Sequence, residues 1–128
     1  MKKILAEISL GELADKITIL EIKMEKIINK ESLNTIKKEY QSLKSINIEI
    51  VNLEKYKQLF NDLKLINEKL WNIENEKRLC EKNADFGEVF IKTSRDIHFL
   101  NDERGKIKLE MNNHSGSKIR EIKEYTSY

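Results

Sequence analysis

From Tyr56 to Cys80, apolar side chains return at alternating intervals of three and four residues: Tyr56, Leu59, Leu63, Ile66, Leu70, Ile73 and Cys80, with Lys77 as the charged interruption. A strand would need alternation at every second position, so this spacing predicts one long helix over residues 53–81 with a continuous apolar seam. The same interval recurs in Leu10, Leu13, Ile17, Leu20, Met24 and Ile27, and again in Phe86, Phe90, Thr93, Ile97, Leu100, Arg104, Ile107 and Met111. Helices with apolar seams bury them against each other. The expected fold is therefore all-α: an antiparallel bundle of three to four helices built on a long helical hairpin.

Breakers set the boundaries. With no proline and only four glycines in 128 residues, interruptions must come from polar clusters and caps. Ser9 and Glu12 have the form of a capping box ahead of the first seam. The expected helices run over about 10–29, 32–45, 53–81 and 86–112, with a short tail at 117–128, all in one domain spanning 1–128. The second is the least regular, with Leu33, Ile36, Tyr40 and Leu43 as its stripe. Ile46 to Val51 alternates like a strand but has no evident partner and reads as a connection. Asp85 with Glu88 resembles another capping box, and Asn112 to Ser117 reads as the loop ending the fourth helix. Residues Lys3 to Ile8 alternate weakly, which would suit a small strand beside the tail.

Charge excludes more than it assigns. The 24 basic and 22 acidic residues leave a net charge of +2, with both signs interspersed, so no nucleic-acid footprint is expected. A single cysteine, Cys80, allows no internal disulfide, and its seam position implies a buried, inert thiol in a cytoplasmic protein. No apolar run approaches the ~20 residues of a membrane span, and Glu7 interrupts the start before a signal-peptide core develops.

Several residues stand out against these seams. Arg104 falls within one, and a buried guanidinium demands a carboxylate: Asp15, Glu21 or Glu74 inside the fold, or an anionic ligand in a polar pocket. Beside the third seam run Phe60, Asn67, Trp71, Glu74 and Arg78, which place the only tryptophan among polar neighbours. They form either a recognition surface or a core cap beside an ordinary i,i+4 ion pair. On the fourth helix Ser94, His98, Asn101, Gly105 and Lys108 form a polar stripe, where Gly105 marks either the close approach of a ligand or a crossing helix, with His98, Asn101 and Arg104 around it, or a tolerated glycine on a wet face. Glu12 and Asp15, and Glu74 with Glu76, are the acids that could hold magnesium, but their spacing is unspecific; no metal or cofactor is expected. His98 and His114 lack the spacing of zinc ligands.

The segment Gly11-Glu12-Leu13-Ala14-Asp15-Lys16-Ile17-Thr18-Ile19-Leu20-Glu21-Ile22-Lys23, followed by Leu70-Trp71-Asn72-Ile73-Glu74 and Asn101-Asp102-Glu103-Arg104, resembles a small family of bacterial and phage proteins known as a domain of unknown function. The resemblance extends over nearly the whole chain. It departs at Lys77, His98 and Gly105, where the family pattern has an apolar residue, a tyrosine and a residue other than glycine. It implies a compact helical fold and transfers no reaction.

Two functions follow as expectations. The first is a non-catalytic helical interaction or accessory protein, homodimeric or bound to a protein partner through helix faces carrying Trp71 and Phe99, with Ile19 and Ile22 as further uncovered groups. The alternative is an enzyme or binding protein for an anionic metabolite, phosphorylated or carboxylate, using Lys16, Glu74, Arg78, Asn101 and Arg104. That alternative requires these groups to converge in one cavity.

Overall fold

The computed structural model describes residues 2–115 and 126–127. It contains α1 (Leu10–Lys26), α2 (Lys30–Lys44), α3 (Leu53–Lys82) and α4 (Glu88–Ser115), and no strand among the described residues. The fold is an all-α bundle. The hairpin of α3 and α4 is its longest packed surface, and α1 lies against α2, α3 and α4.

The first three helices each begin where a side chain satisfies an orphan backbone donor. Ser9 Oγ accepts from Glu12 N at 3.2 Å, Asn29 Oδ1 from Ser32 N at 2.9 Å, and Asn52 Oδ1 from Lys55 N at 3.1 Å. Asn29 thus starts α2 at Lys30, two residues before the expected position, and α1 correspondingly stops at Lys26 rather than 29. The fourth helix starts at Glu88 rather than Phe86, because Asp85 Oδ1 accepts from Gly87 N at 3.2 Å and holds a turn in place of a capping box.

The end of α3 is a Schellman closure. Asp85 N donates to Cys80 O at 2.9 Å and Ala84 N to Glu81 O at 3.2 Å, which puts Ala84 at φ 51°, a left-handed position usually held by glycine.

The seams are buried as their spacing requires. Ala14, Leu59, Leu63 and Met111 form the central cluster, with Tyr56, Phe60 and Ile107 packed on it. Leu13, Ile17, Leu20, Ile66, Leu70 and Cys80 extend the apolar interior. Lys77, the interruption in the α3 seam, carries its ammonium 5.5 Å from the centre of the Phe90 ring, so the aromatic face receives the charge that the core would refuse.

α2 buries no residue completely. Its stripe of Leu33, Ile36, Tyr40 and Leu43 is half-buried, and among the described residues α1 is the one helix it packs against. Tyr40 Oη donates to Glu21 Oε2 at 3.0 Å, and Lys64 of α3 binds Glu21 at 3.2 Å and Glu25 at 2.9 Å, tying α2 and α3 to the same edge of α1.

Two expectations fail. Asn112 is not loop: α4 continues through Asn112, Asn113 and His114 to Ser115, and Asn112 is 2% exposed. Residues Lys3 to Ile8 form no strand and are exposed, with Ile4 and Leu5 outside the core; most of the tail lies outside the described residues.

Candidate functional site

A polar network is built where α1 crosses α4. Gly11 makes the crossing close: a Cβ there would lie 2.5 Å from the Lys108 carbonyl oxygen and 2.9 Å from Asn112 Oδ1. Asn112 Oδ1 instead accepts from Gly11 N at 2.8 Å, satisfying a donor of the first turn of α1. The glycine that permits close helix approach is therefore Gly11, while Gly105 is only half-buried.

Residues rising along α1 meet residues falling along α4. Glu12 Oε2 accepts from Lys108 Nζ at 2.9 Å, so Glu12 completes an interhelical ion pair rather than reaching back to its cap. One turn on, Asp15 receives Arg104 through two bonds, Nε to Oδ1 at 2.9 Å and Nη2 to Oδ2. Lys108 Nζ also lies 3.7 Å from Asp15 Oδ2. From α3, Asn67 Nδ2 donates to Asp15 Oδ1 and Thr18 Oγ1, each at 2.9 Å.

Asp15 is 2% exposed yet held in its ionised form. Burial is the largest influence and pushes its carboxyl up. Hydrogen bonds from Arg104 and Asn67, with the charges of Arg104 and Lys108, together outweigh burial and hold it below the ordinary value of 3.8. No buried side-chain nitrogen or oxygen lacks a hydrogen-bond partner among the described residues. A carboxylate so stabilised is a weak proton acceptor, which makes Asp15 an anchor rather than a general base.

Two members of this network, Asn67 and Arg104, also line a cleft. Its open volume is about 450 Å³, with Ile19 and Ile22 of α1 as one wall. Its floor is Asn67, Leu70, Asn101 and Arg104, and its rim is Trp71, Glu74, Asn75 and Arg78. Arg104 reaches the cleft beside Asn101, whose Oδ1 it contacts through Nη1 at 3.4 Å, and its side chain is 28% exposed. Trp71 is half-buried, while Glu74, Asn75 and Arg78 face solvent.

The cleft thus gathers Glu74, Arg78, Asn101 and Arg104 with Trp71. Lys16 is exposed and does not line it, because the adjacent Asp15 and Ile17 take the inward side of α1. Phe99 also lies elsewhere, in a shallow outer groove of α4 with Ile91, Arg95 and Asp96. Ile22 is 1% exposed and so is covered within the chain, without a second copy.

Sequence reasoning missed Lys108 and Asn112 as buried members of the network, reading one as a solvated stripe and the other as loop. The signal was available in the charges: acids at positions 12 and 15 of one helix answer bases at 104 and 108 of another. Among the described residues no group of three or more His, Cys, Asp or Glu side chains is placed to hold a metal ion. No described helix is long and apolar enough to cross a membrane.

A family model matches residues 3–128. The chain belongs to the Family of unknown function (DUF6165). No curated protein and no solved structure matches it. For this DUF6165 member the functional reading rests on its own cleft.

Proposed function

We propose that this chain is a non-catalytic binding protein whose cleft, between α1 and the α3–α4 hairpin, receives an anionic small molecule. The observation that carries this reading is the convergence of Arg78, Asn101 and Arg104 on one open volume beside Trp71. A volume of about 450 Å³ falls in the range of small-molecule sites, and the mixture of an apolar wall with a few convergent polar groups is their usual make-up. Asp15 supports binding over catalysis, since its carboxylate is already committed to Arg104 and Asn67. Glu74 is exposed at the rim, away from the buried acids.

A thermal-unfolding screen against inorganic phosphate, glucose 6-phosphate, AMP, benzoate and 2-naphthoate tests the reading. A ligand at a hundredfold its Kd adds about 2.7 kcal/mol, enough to raise Tm by several degrees. The shift should shrink in Asn101→Ala and persist in Lys16→Gln. Absence of a shift from all five, or a shift indifferent to Asn101, contradicts the proposal.

A second reading has its own observation. Ile91 and Phe99 are 55% and 39% exposed on one stripe of α4, with Glu88, Lys92, Arg95 and Asp96 supplying charges of both signs around them. Such a stripe suits self-association of two copies, apolar centre to apolar centre with charges of both signs at the edges. Light scattering that reports a dimer in the wild type and a monomer in Phe99→Asp supports it; a monomer in both removes it.

A further inference from the structure

On the self-association reading above, the outward charges of α4 decide how two copies face each other. Eighteen residues separate Glu88 from Lys106, five turns at about 3.6 residues per turn, so the two side chains lie on one line along the helix. Arg95 and Phe99 fall within about 20° of that line. Thr93 and Met111, which α4 buries, lie roughly 140° away from it. The line therefore faces away from the bundle. Glu88, Arg95 and Lys106 are exposed, and Phe99 is 39% exposed. Lys92 and Asp96 flank it and are already joined to each other at 2.6 Å.

Along this line the order is acid, base, aromatic ring, base. A parallel two-fold pairing would set each residue beside its own copy: Glu88 on Glu88, Arg95 on Arg95 and Lys106 on Lys106. Three contacts between like charges oppose that arrangement. An antiparallel pairing has the reverse property. Ile97 is the midpoint both of Glu88 and Lys106 and of Arg95 and Phe99. A two-fold axis at its level therefore brings Glu88 of each copy to Lys106 of the other, and the aliphatic stem of each Arg95 to the exposed part of the other Phe99 ring. The shorter antiparallel register, with Glu88 on Arg95, would carry Phe99 past the start of the other α4 and lose more than half of the overlap.

We propose that α4 pairs with α4 of a second copy, antiparallel about a two-fold axis at the level of Ile97, with two Glu88–Lys106 ion pairs at the ends and two Arg95–Phe99 contacts at the centre. The observation that carries this is a line of charges that repels its own copy in parallel and complements it in reverse. A contact confined to one face of one helix is small, so the dimer is weak and concentration-dependent.

Sedimentation equilibrium of the full chain at up to about 1 mM tests the pairing, at low salt where exposed charges are least screened. Glu88→Lys and Lys106→Glu should each weaken association about tenfold, because each sets like charges together at both ends. An equal mixture of the two variants should return to wild-type strength, since every new charge then meets its opposite on the other chain. Both variants should keep wild-type circular dichroism. Carbodiimide coupling gives a direct readout: an amide bond between Glu88 and Lys106, found by mass spectrometry, must join two chains, because within one straight helix these residues stand about 27 Å apart. A wild-type dimer that ignores both single substitutions, a mixture that stays as weak as its components, or a dimer without the Glu88–Lys106 link overturns the pairing and leaves self-association through another contact. A wild type that is monomeric throughout removes both.

Discussion

Asp15 and Arg104, 89 residues apart in sequence, are joined by two hydrogen bonds at the point where α1 crosses the hairpin, and the carboxylate is almost wholly buried. Around this pair a site and a fold share the same atoms: the arginine that locks α1 onto α4 also lines the cleft.

Removing one member leaves the other charge in a poor solvent. Asp15→Ala should cost about 3–5 kcal/mol, seen as a lower urea midpoint, because Arg104 and Lys108 lose their shared acid. The double variant Asp15→Leu/Arg104→Met should recover part of that loss. A single substitution costing under about 1 kcal/mol would show that the pair is not buried as described.

The pH dependence follows from the direction of the Asp15 shift. Its folded pKa lies below the unfolded value of 3.8, so its stabilisation is fully present above about pH 4 and is lost as pH falls through the folded value. Urea midpoints should therefore fall more steeply in the wild type than in Asp15→Asn as pH drops below about 4. Parallel curves for the two proteins would contradict the assignment.

Gly11 and Ala84 make opposite predictions. Gly11→Ala should destabilise by about 2–3 kcal/mol, since the new methyl meets the Lys108 carbonyl at 2.5 Å and the backbone must move. Ala84→Gly should stabilise by about 0.5–1 kcal/mol, because φ 51° strains an L-residue that glycine would relieve. Thermal or urea unfolding reads both, and a stabilising Gly11→Ala would mean that α1 and α4 stand further apart.

Lys77 offers a milder test. Lys77→Gln removes the charge above the Phe90 ring and should cost about 0.5–1 kcal/mol, while the Phe90→Leu background should abolish that difference. An equal effect in both backgrounds would assign it to something other than the ring.

The seams made most of this fold legible before any coordinates. Leu59, Leu63, Ile66, Leu70 and Cys80 recur at helical intervals and are all buried, and α3 ends within one residue of its expected limit. The requirement for an acid at Arg104 was equally readable, with Asp15 among the three named. The choice among those three was not readable, because it depends on the crossing of α1 over α4, which Gly11 permits through backbone contact rather than through any periodic signal. Asn112 was misread for a related reason: its polarity suggests a loop, whereas its oxygen caps a neighbouring helix. Lys16 failed as a cleft residue because one helical position separates the buried Asp15 from the solvent.

The central claim is that the cleft binds an anion, and chemical-shift mapping tests it most directly. In ¹⁵N-labelled protein the Trp71 indole gives one resonance, since the chain has a single tryptophan, and the amide groups of Asn67, Asn75 and Asn101 report from the same cleft. Titration with 2-naphthoate should shift these four side chains saturably and leave the Ile91–Phe99 stripe of α4 unchanged. Shifts confined to that stripe, or none at the indole under saturating ligand, would contradict the account.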